Sequence, residues 1–167
     1  MEVSFDKEEL MIFVTVGTQD KPFNRLLEAV DKLNINEKIV IQKGISTCQI
    51  DKKNIEIYDY ISSDKFINFM KEARVVITHA GVASIITGLK LHKKMIVAAR
   101  LEKYKEHVND HQLQILDTFS KEGYILRLDN FEELDKLIEK DFEPKEFISN
   151  RDNFVKSLDL EIKRLVK

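Results

Sequence analysis

The chain is 167 residues long, about one domain's worth, and its 43% of hydrophobic residues can fill a core without disulfide or metal staples. Its 27 basic and 29 acidic residues leave a net charge of −2, and no stretch concentrates lysine or arginine, which argues against nucleic acid or an anionic membrane surface as the main partner. Cys48 is the single cysteine, so an internal disulfide is excluded, a reducing compartment fits, and no local signature marks it as a nucleophile.

Residues 1–10 (MEVSFDKEEL) are acidic and mostly polar, unlike a signal peptide, and read as an extension ahead of a single domain over 11–167; Met11 is itself a candidate start. Residues 12–16 (IFVTV) form a β-branched run ended by Gly17 and predict a buried strand. From 23 to 33 the apolar positions Phe23, Leu26, Leu27, Val30 and Leu33 recur at helical spacing. Strands follow at 39–41, stopped near Gly44, and at 55–58. Ser62, Ser63 and Asp64 can cap a helix reaching Lys71. Next come a strand at 75–78, a helix over 83–91 and a strand at 95–98. Asn109 or Asp110 caps a helix to about Lys121, residues 124–126 close the sheet, and Asn130 caps a helix carrying Leu134, Leu137 and Ile138. An amphipathic helix over about 151–166 ends the chain, with Pro144 separating it from its predecessor.

Nearly all-apolar strands alternating with helices predict a doubly wound α/β fold, a parallel sheet covered on both faces. The longest uncharged stretch, 75–89, contains His79 and several small residues and is shorter than the roughly 20 apolar residues of a spanning helix. The chain is therefore expected to be soluble and cytoplasmic.

In such a sheet ligands bind beyond the carboxyl ends of the strands, and four segments with unusual residues fall there: 17–19 (GTQ), 43–46 (KGIS), 78–84 (THAGVAS) and 99–112. The 79–84 loop runs from strand through small residues into a helix, which lets backbone N–H groups approach an anion; Ser84 adds a hydroxyl. The same pattern is also compatible with a tight β–α turn in which Gly81 matters only for its backbone. Neither of the two familiar glycine-rich phosphate fingerprints is present. Residues 106–112 (EHVNDHQ) put six polar side chains into seven positions, suited to binding sugar or ribose hydroxyls or to capping a helix. His107 and His111 have the i, i+4 spacing of a zinc pair, but Glu106 precedes the first histidine and no third ligand is evident, so no metal is expected.

Segments 11–19 (MIFVTVGTQ) with Pro22-Phe23, 42–46 (QKGIS), 78–81 (THAG) and 106–112 occur in an order and spacing that resemble glycosyltransferase family 28 of the C-terminal-domain type, over about 11–126. They look most like catalytic subunits of two-component bacterial capsule and exopolysaccharide glycosyltransferases. Those are related to the cytosolic subunit of the eukaryotic dolichol-linked N-acetylglucosamine transferase. The resemblance implies the donor-binding, Rossmann-like half of a GT-B enzyme that inverts configuration and needs no metal or other cofactor. It would transfer galactose, or N-acetylglucosamine, from a UDP-sugar to a polyprenyl-diphosphate-linked sugar. A membrane-anchored partner subunit would bind the acceptor and hold this chain at the inner face of the membrane.

Carried over by position, Gly17, Thr18 and Gln19 would line the cleft. His79, Ala80, Gly81, Val82, Ala83 and Ser84 would hold the diphosphate, with Arg100 neutralising its charge. Asp110 and Gln112 would read donor-sugar hydroxyls, and Glu106 and Asn109 would contact sugar or partner. Glu106, His107 and His79 are the candidates for general base. Phe154, Leu158, Ile162 and Leu165 of the last helix would meet the partner or pack on this domain. Three positions depart from the family pattern. Ala83 replaces a glycine, Thr87 replaces a glutamate that accepts from ribose hydroxyls, and Ala99 replaces a proline. Two other readings stand beside this one. The first is a non-catalytic regulatory subunit of a glycosyltransferase. The second is a dinucleotide-dependent oxidoreductase, which the missing glycine fingerprint opposes.

Overall fold

The computed structural model describes residues 10–150, so the expectations for 1–9 and for the last helix fall outside the described residues. Six strands form one sheet: β1 (Met11–Thr15), β2 (Lys38–Gln42), β3 (Ile55–Tyr58), β4 (Val75–His79), β5 (Lys94–Ala98) and β6 (Leu126–Arg127). Their spatial order is β3-β2-β1-β4-β5-β6 and every pairing is parallel. β1 is central, with Phe13 opposite Val40 on one side and Val76 on the other. All five of its residues are buried, as a strand covered on both faces requires.

The helices are α1 (Asn24–Asp31), α2 (Ser63–Glu72), α3 (Val82–Lys90), α4 (His111–Lys121) and α5 (Leu134–Glu139). Strand alternation divides the core in two. Ile12, Val14 and Val16 face Leu26, Leu27 and Val30 of α1 and Leu134 and Ile138 of α5. Met11 and Phe13 face Met70 of α2, Ile85 and Leu89 of α3, and Leu116 of α4. Phe13 packs against Phe66 and Phe69 of α2 with ring centroids 5.6 Å apart in both pairs, each worth about 1 kcal/mol beyond simple burial. That contact fixes where α2 brings its N-terminal half.

The element boundaries differ from expectation in physically readable ways. α1 begins at Asn24 because Phe23 N–H is held by Ser46 Oγ at 2.9 Å, outside the helix. Ser62 caps α2 as expected, accepting from Lys65 N–H at 3.3 Å. α4 starts at His111 with Asp110 at its N-cap position, yet the accepting side chain is Asn109, whose Oδ1 takes His111 N–H at 3.0 Å. Tyr124 does not join β6, since its N–H completes the end of α4 by donating to Phe119 O. Asn130 caps a short 3₁₀ turn (Phe131–Glu133) rather than α5 directly.

The strand order reverses between β1 and β4, which places a crevice at their carboxyl ends. The connections that end there carry the glycines and polar residues singled out above.

Candidate functional site

A cleft of about 530 Å³ opens at this switch point. Of the residues expected in the site, Gly17, Thr18, Gln19, His79, Gly81, Val82, Ala83 and Ser84 line it together. Gly17 adopts φ +78°, which a glycine tolerates at no steric cost. Its peptide is locked from both sides: its N–H donates to Thr15 Oγ1 at 3.3 Å and its carbonyl accepts from Gln42 Nε2 at 2.9 Å. Gln42 Nε2 also donates to Asp59 O at 3.2 Å, and Gln42 Oε1 accepts from Thr15 Oγ1. One buried amide at the end of β2 therefore joins the loops after β1 and β3.

The imidazole of His79 lies between two glycines. A Cβ added at Gly17 would come within 2.6 Å of its Cε1, and one added at Gly81 would overlap its Nε2. His79 is 8% exposed. Burial first, then the neighbouring Arg100 charge, push its pKa down to about 4; a bond to the Thr15 backbone opposes this and His107 adds slightly to it. The ring is thus neutral at neutral pH.

Gly81 is the N-cap of α3, offers no capping side chain, and is followed by no acidic residue in the first turn. Val82, Ala83 and Ser84 therefore present the amide-rich, positive end of a nine-residue helix to the cleft. Ala83 has no positive φ, so its methyl group carries no backbone strain. Thr87 Oγ1 donates to Ala83 O at 2.8 Å and keeps only acceptor capacity for a ligand. Gln19 Oε1 is buried without a protein donor, a further acceptor at the cleft.

Three expected assignments are corrected. Ala80 is a core residue, fully buried, with its N–H donated to Ala98 O. Arg100 does not front the cleft. It is fully buried, and its Nη1 donates to Lys21 O, Pro22 O and Glu106 O at 2.9, 3.3 and 3.3 Å while Nη2 donates to Val16 O. Burial lowers its pKa to about 10, with Glu106 opposing, so it stays charged and ties down the β1–α1 loop. Glu106 is withdrawn from both sugar contact and base chemistry. Its carboxylate is buried and paired with Arg25 at 2.6 Å.

Asn109, Asp110, Gln112 and His107 belong to the β5–α4 loop and are not among the residues lining the cleft. Asn109 and Asp110 are exposed, while Gln112 is buried and accepts from Arg100 N–H at 3.0 Å. His107 is half-buried and meets the Asn109 backbone through Nδ1. Among the described residues, no group of three metal-ligating side chains occurs, and no helix is long and apolar enough to cross a membrane.

Thr15, Gln42, Ile61, Ser63, Phe66 and Ile67 line the cleft without having been expected there. Gln42 had a legible signal, a polar residue ending an apolar strand, whereas Phe66 and Ile67 read as ordinary helix core. A second groove of about 640 Å³ runs between α1 and the segment 129–135. Its lining carries Glu28, Asp129, Glu132 and Asp135 against Lys32 and the already paired Arg25, a poor field for an anion.

Comparison with known proteins agrees with this geometry. The chain is 27% identical over 128 residues to the UDP-N-acetylglucosamine transferase subunit ALG13 of Homo sapiens, covering 68% of this chain and 10% of that protein. It is 24% identical over 119 residues to the subunit of the same name in Candida albicans, covering 67% and 39%. The chain thus spans only a tenth to two fifths of these relatives. Among solved structures, ALG13 in solution matches with TM-score 0.58 and 20% identity over 86% of this chain and 92% of that one. MurG of Acinetobacter baumannii matches with TM-score 0.54 and 16% identity over 80% and 41%. The kitacinnamycin glycotransferase gives TM-score 0.61 and 20% identity over 78% and 34%. These likenesses show a Rossmann-like half of the GT-B fold. The glycosyltransferase family 28 C-terminal domain matches residues 11–164, nearly the whole chain with its switch-point cleft, and the chain belongs to that family.

Proposed function

We propose that this chain is the donor-binding, catalytic subunit of a UDP-sugar-dependent inverting glycosyltransferase. The observation that carries the reading is the uncapped N-terminus of α3, which faces a cleft walled by Gly17, Gly81 and His79. Backbone N–H groups and a partial positive charge there suit a diphosphate, and the Ser84 hydroxyl adds a donor. The apolar wall of Ile61, Phe66 and Ile67 suits a base. As UDP leaves, the helix end would stabilise the developing charge without a metal.

The acceptor hydroxyl must lose a proton. His79, with a pKa near 4, is a weak acceptor at neutral pH, and Glu106 is committed to Arg25. His107, bonded through Nδ1 alone, remains the candidate within this chain; a partner subunit is the other source. Asp110 and Gln112 are assigned to the sugar hydroxyls. The curated relatives are named as subunits of an N-acetylglucosamine transferase, which makes that sugar the first donor to test and galactose the second. The acceptor is a polyprenyl-diphosphate-linked sugar of capsule or exopolysaccharide synthesis. It would be bound by a membrane-anchored partner that holds this cytoplasmic chain at the inner face. That partner would supply the wall facing the cleft and position the acceptor.

A regulatory subunit without catalysis is the second reading, favoured by Thr87, whose single hydroxyl oxygen stands where the family pattern has a two-oxygen carboxylate acceptor. Titration with UDP, UDP-N-acetylglucosamine and UDP-galactose separates the two. Binding that survives EDTA and is abolished by Gly81→Val supports the donor role. No binding of any of the three by the intact chain would sink it. Transfer to a polyprenyl-linked sugar is expected only with the partner present, and strong transfer by the chain alone would overturn the two-subunit part.

A further inference from the structure

Arg25 sits in the first turn of α1, outside every group of residues that the sequence singles out. Its Nε and Nη2 donate to Glu106 Oε1 and Oε2 at 2.7 and 2.6 Å, and Nη2 reaches Ala99 O at 3.3 Å. The guanidinium lies 4.2 Å from the Tyr104 ring centroid, 4.7 Å from that of Phe131 and 5.6 Å from that of Phe23. A planar fork held against aromatic rings fixes the carboxylate in direction as well as distance.

Glu106 is the hub of the loop that follows β5. Its Oε2 also accepts from Leu101 N–H at 3.0 Å, and its own N–H donates to Leu101 O at 3.2 Å. The next amide, Glu102 N–H, donates to Asp110 Oδ1 at 2.8 Å. The amide before it, Arg100 N–H, donates to Gln112 Oε1 at 3.0 Å. Three successive amides thus hold Gln112, Glu106 and Asp110, and the middle one is anchored to α1 through Arg25. Within the same loop Lys105 has φ 59°, a left-handed conformation that a side chain adopts only when its surroundings impose it.

We propose that Arg25 is a positioning residue for sugar recognition. By holding Glu106 from α1, it sets the conformation of the 101–112 loop, and with it the positions of Asp110 and Gln112. The proposal rests on the donor-binding reading given above. Arg100 supplies the reciprocal tie, from the end of β5 to the carbonyls of the β1–α1 loop, so the two loops move as one unit.

The test compares the wild-type chain with Arg25→Gln and Arg25→Lys by two measurements. The first is amide hydrogen exchange at Leu101 and Glu102 without ligand. The second is affinity for UDP and for UDP-N-acetylglucosamine and UDP-galactose. In Arg25→Gln, exchange at both amides should accelerate while the β1 and β4 amides stay protected. UDP-sugar affinity should drop about tenfold and UDP affinity less than about twofold, with Arg25→Lys between wild type and Arg25→Gln because it keeps the charge but not the fork. Unchanged exchange at Leu101 and Glu102, or equal losses for UDP and UDP-sugar, would overturn the proposal. If Arg25→Gln fails to fold, Glu106→Gln keeps the shape of the hub and carries the same two readouts. If the wild-type chain binds no UDP-sugar, the donor reading fails by itself, and the exchange result decides whether Arg25 holds the loop.

Discussion

Mild acid should weaken the fold through His79, and a substitution that removes its titration should remove the effect. The imidazole is 8% exposed and its pKa falls from 6.5 to about 4, with burial the main cause and Arg100 the second. A base whose folded pKa is depressed is protonated more readily in the unfolded chain. Its stabilising contribution is therefore complete above pH 6.5 and is lost as pH falls towards 4. With those two values, linkage gives a loss of about 2 kcal/mol between pH 6.5 and 4.5 from this one group. The window matters because the lowered carboxylates Glu56 and Asp117 begin to contribute only below their ordinary values of 4.5 and 3.8. Urea unfolding at several pH values across this range, on wild type and His79→Gln, gives the two slopes. The variant should start less stable by a constant amount and show a much flatter dependence. Parallel slopes would refute the buried neutral ring and with it the electrostatics assigned to the cleft floor.

Two further outcomes follow from the same geometry. Gly17→Ala places a methyl group at φ +78° and within 2.6 Å of the His79 ring, so it should cost about 1 kcal/mol or more and reduce anion binding; thermal melts and UDP titration check both. Arg100→Met should leave several loop carbonyls without their donor and cost about 3 kcal/mol, read from the urea midpoint.

Most of the fold was legible because period and composition decide it. Strands such as 12–16 and 95–98 are apolar on both faces, which only a covered parallel sheet accommodates, and the helices showed their apolar stripes. The misplaced ends were settled by bonds between distant residues, such as Ser46 Oγ holding Phe23 N–H, which no local pattern announces. The placement of the 79–84 loop at the cleft was equally legible. Glycine, small residues and a helix start lie consecutively there, so the chain's local geometry already forms the site. The apolar wall was not, because Phe66 and Ile67 occupy helical core spacing, and their place at the cleft depends on how α2 packs on the sheet, through contacts such as Phe66 with Phe13.

Arg100 and Glu106 of the polar loop 99–112 were misread for a different reason. Density of polar side chains says that hydrogen bonds will be made, but not with whom. Arg100 and Glu106 look like ligand contacts when counted along the chain. In space each is needed to satisfy backbone or charge that the fold itself has buried. An arginine at the end of an interior strand has no water to fall back on, so it takes the nearest unpaired carbonyls, those of the β1–α1 loop. A buried carboxylate likewise demands a cation, and Arg25 pairs with it at 2.6 Å. What remains for a ligand is the set of groups left uncommitted after these obligations are met. Those are the α3 amides and Gln19 Oε1, groups whose freedom depends on the two arginines being occupied elsewhere.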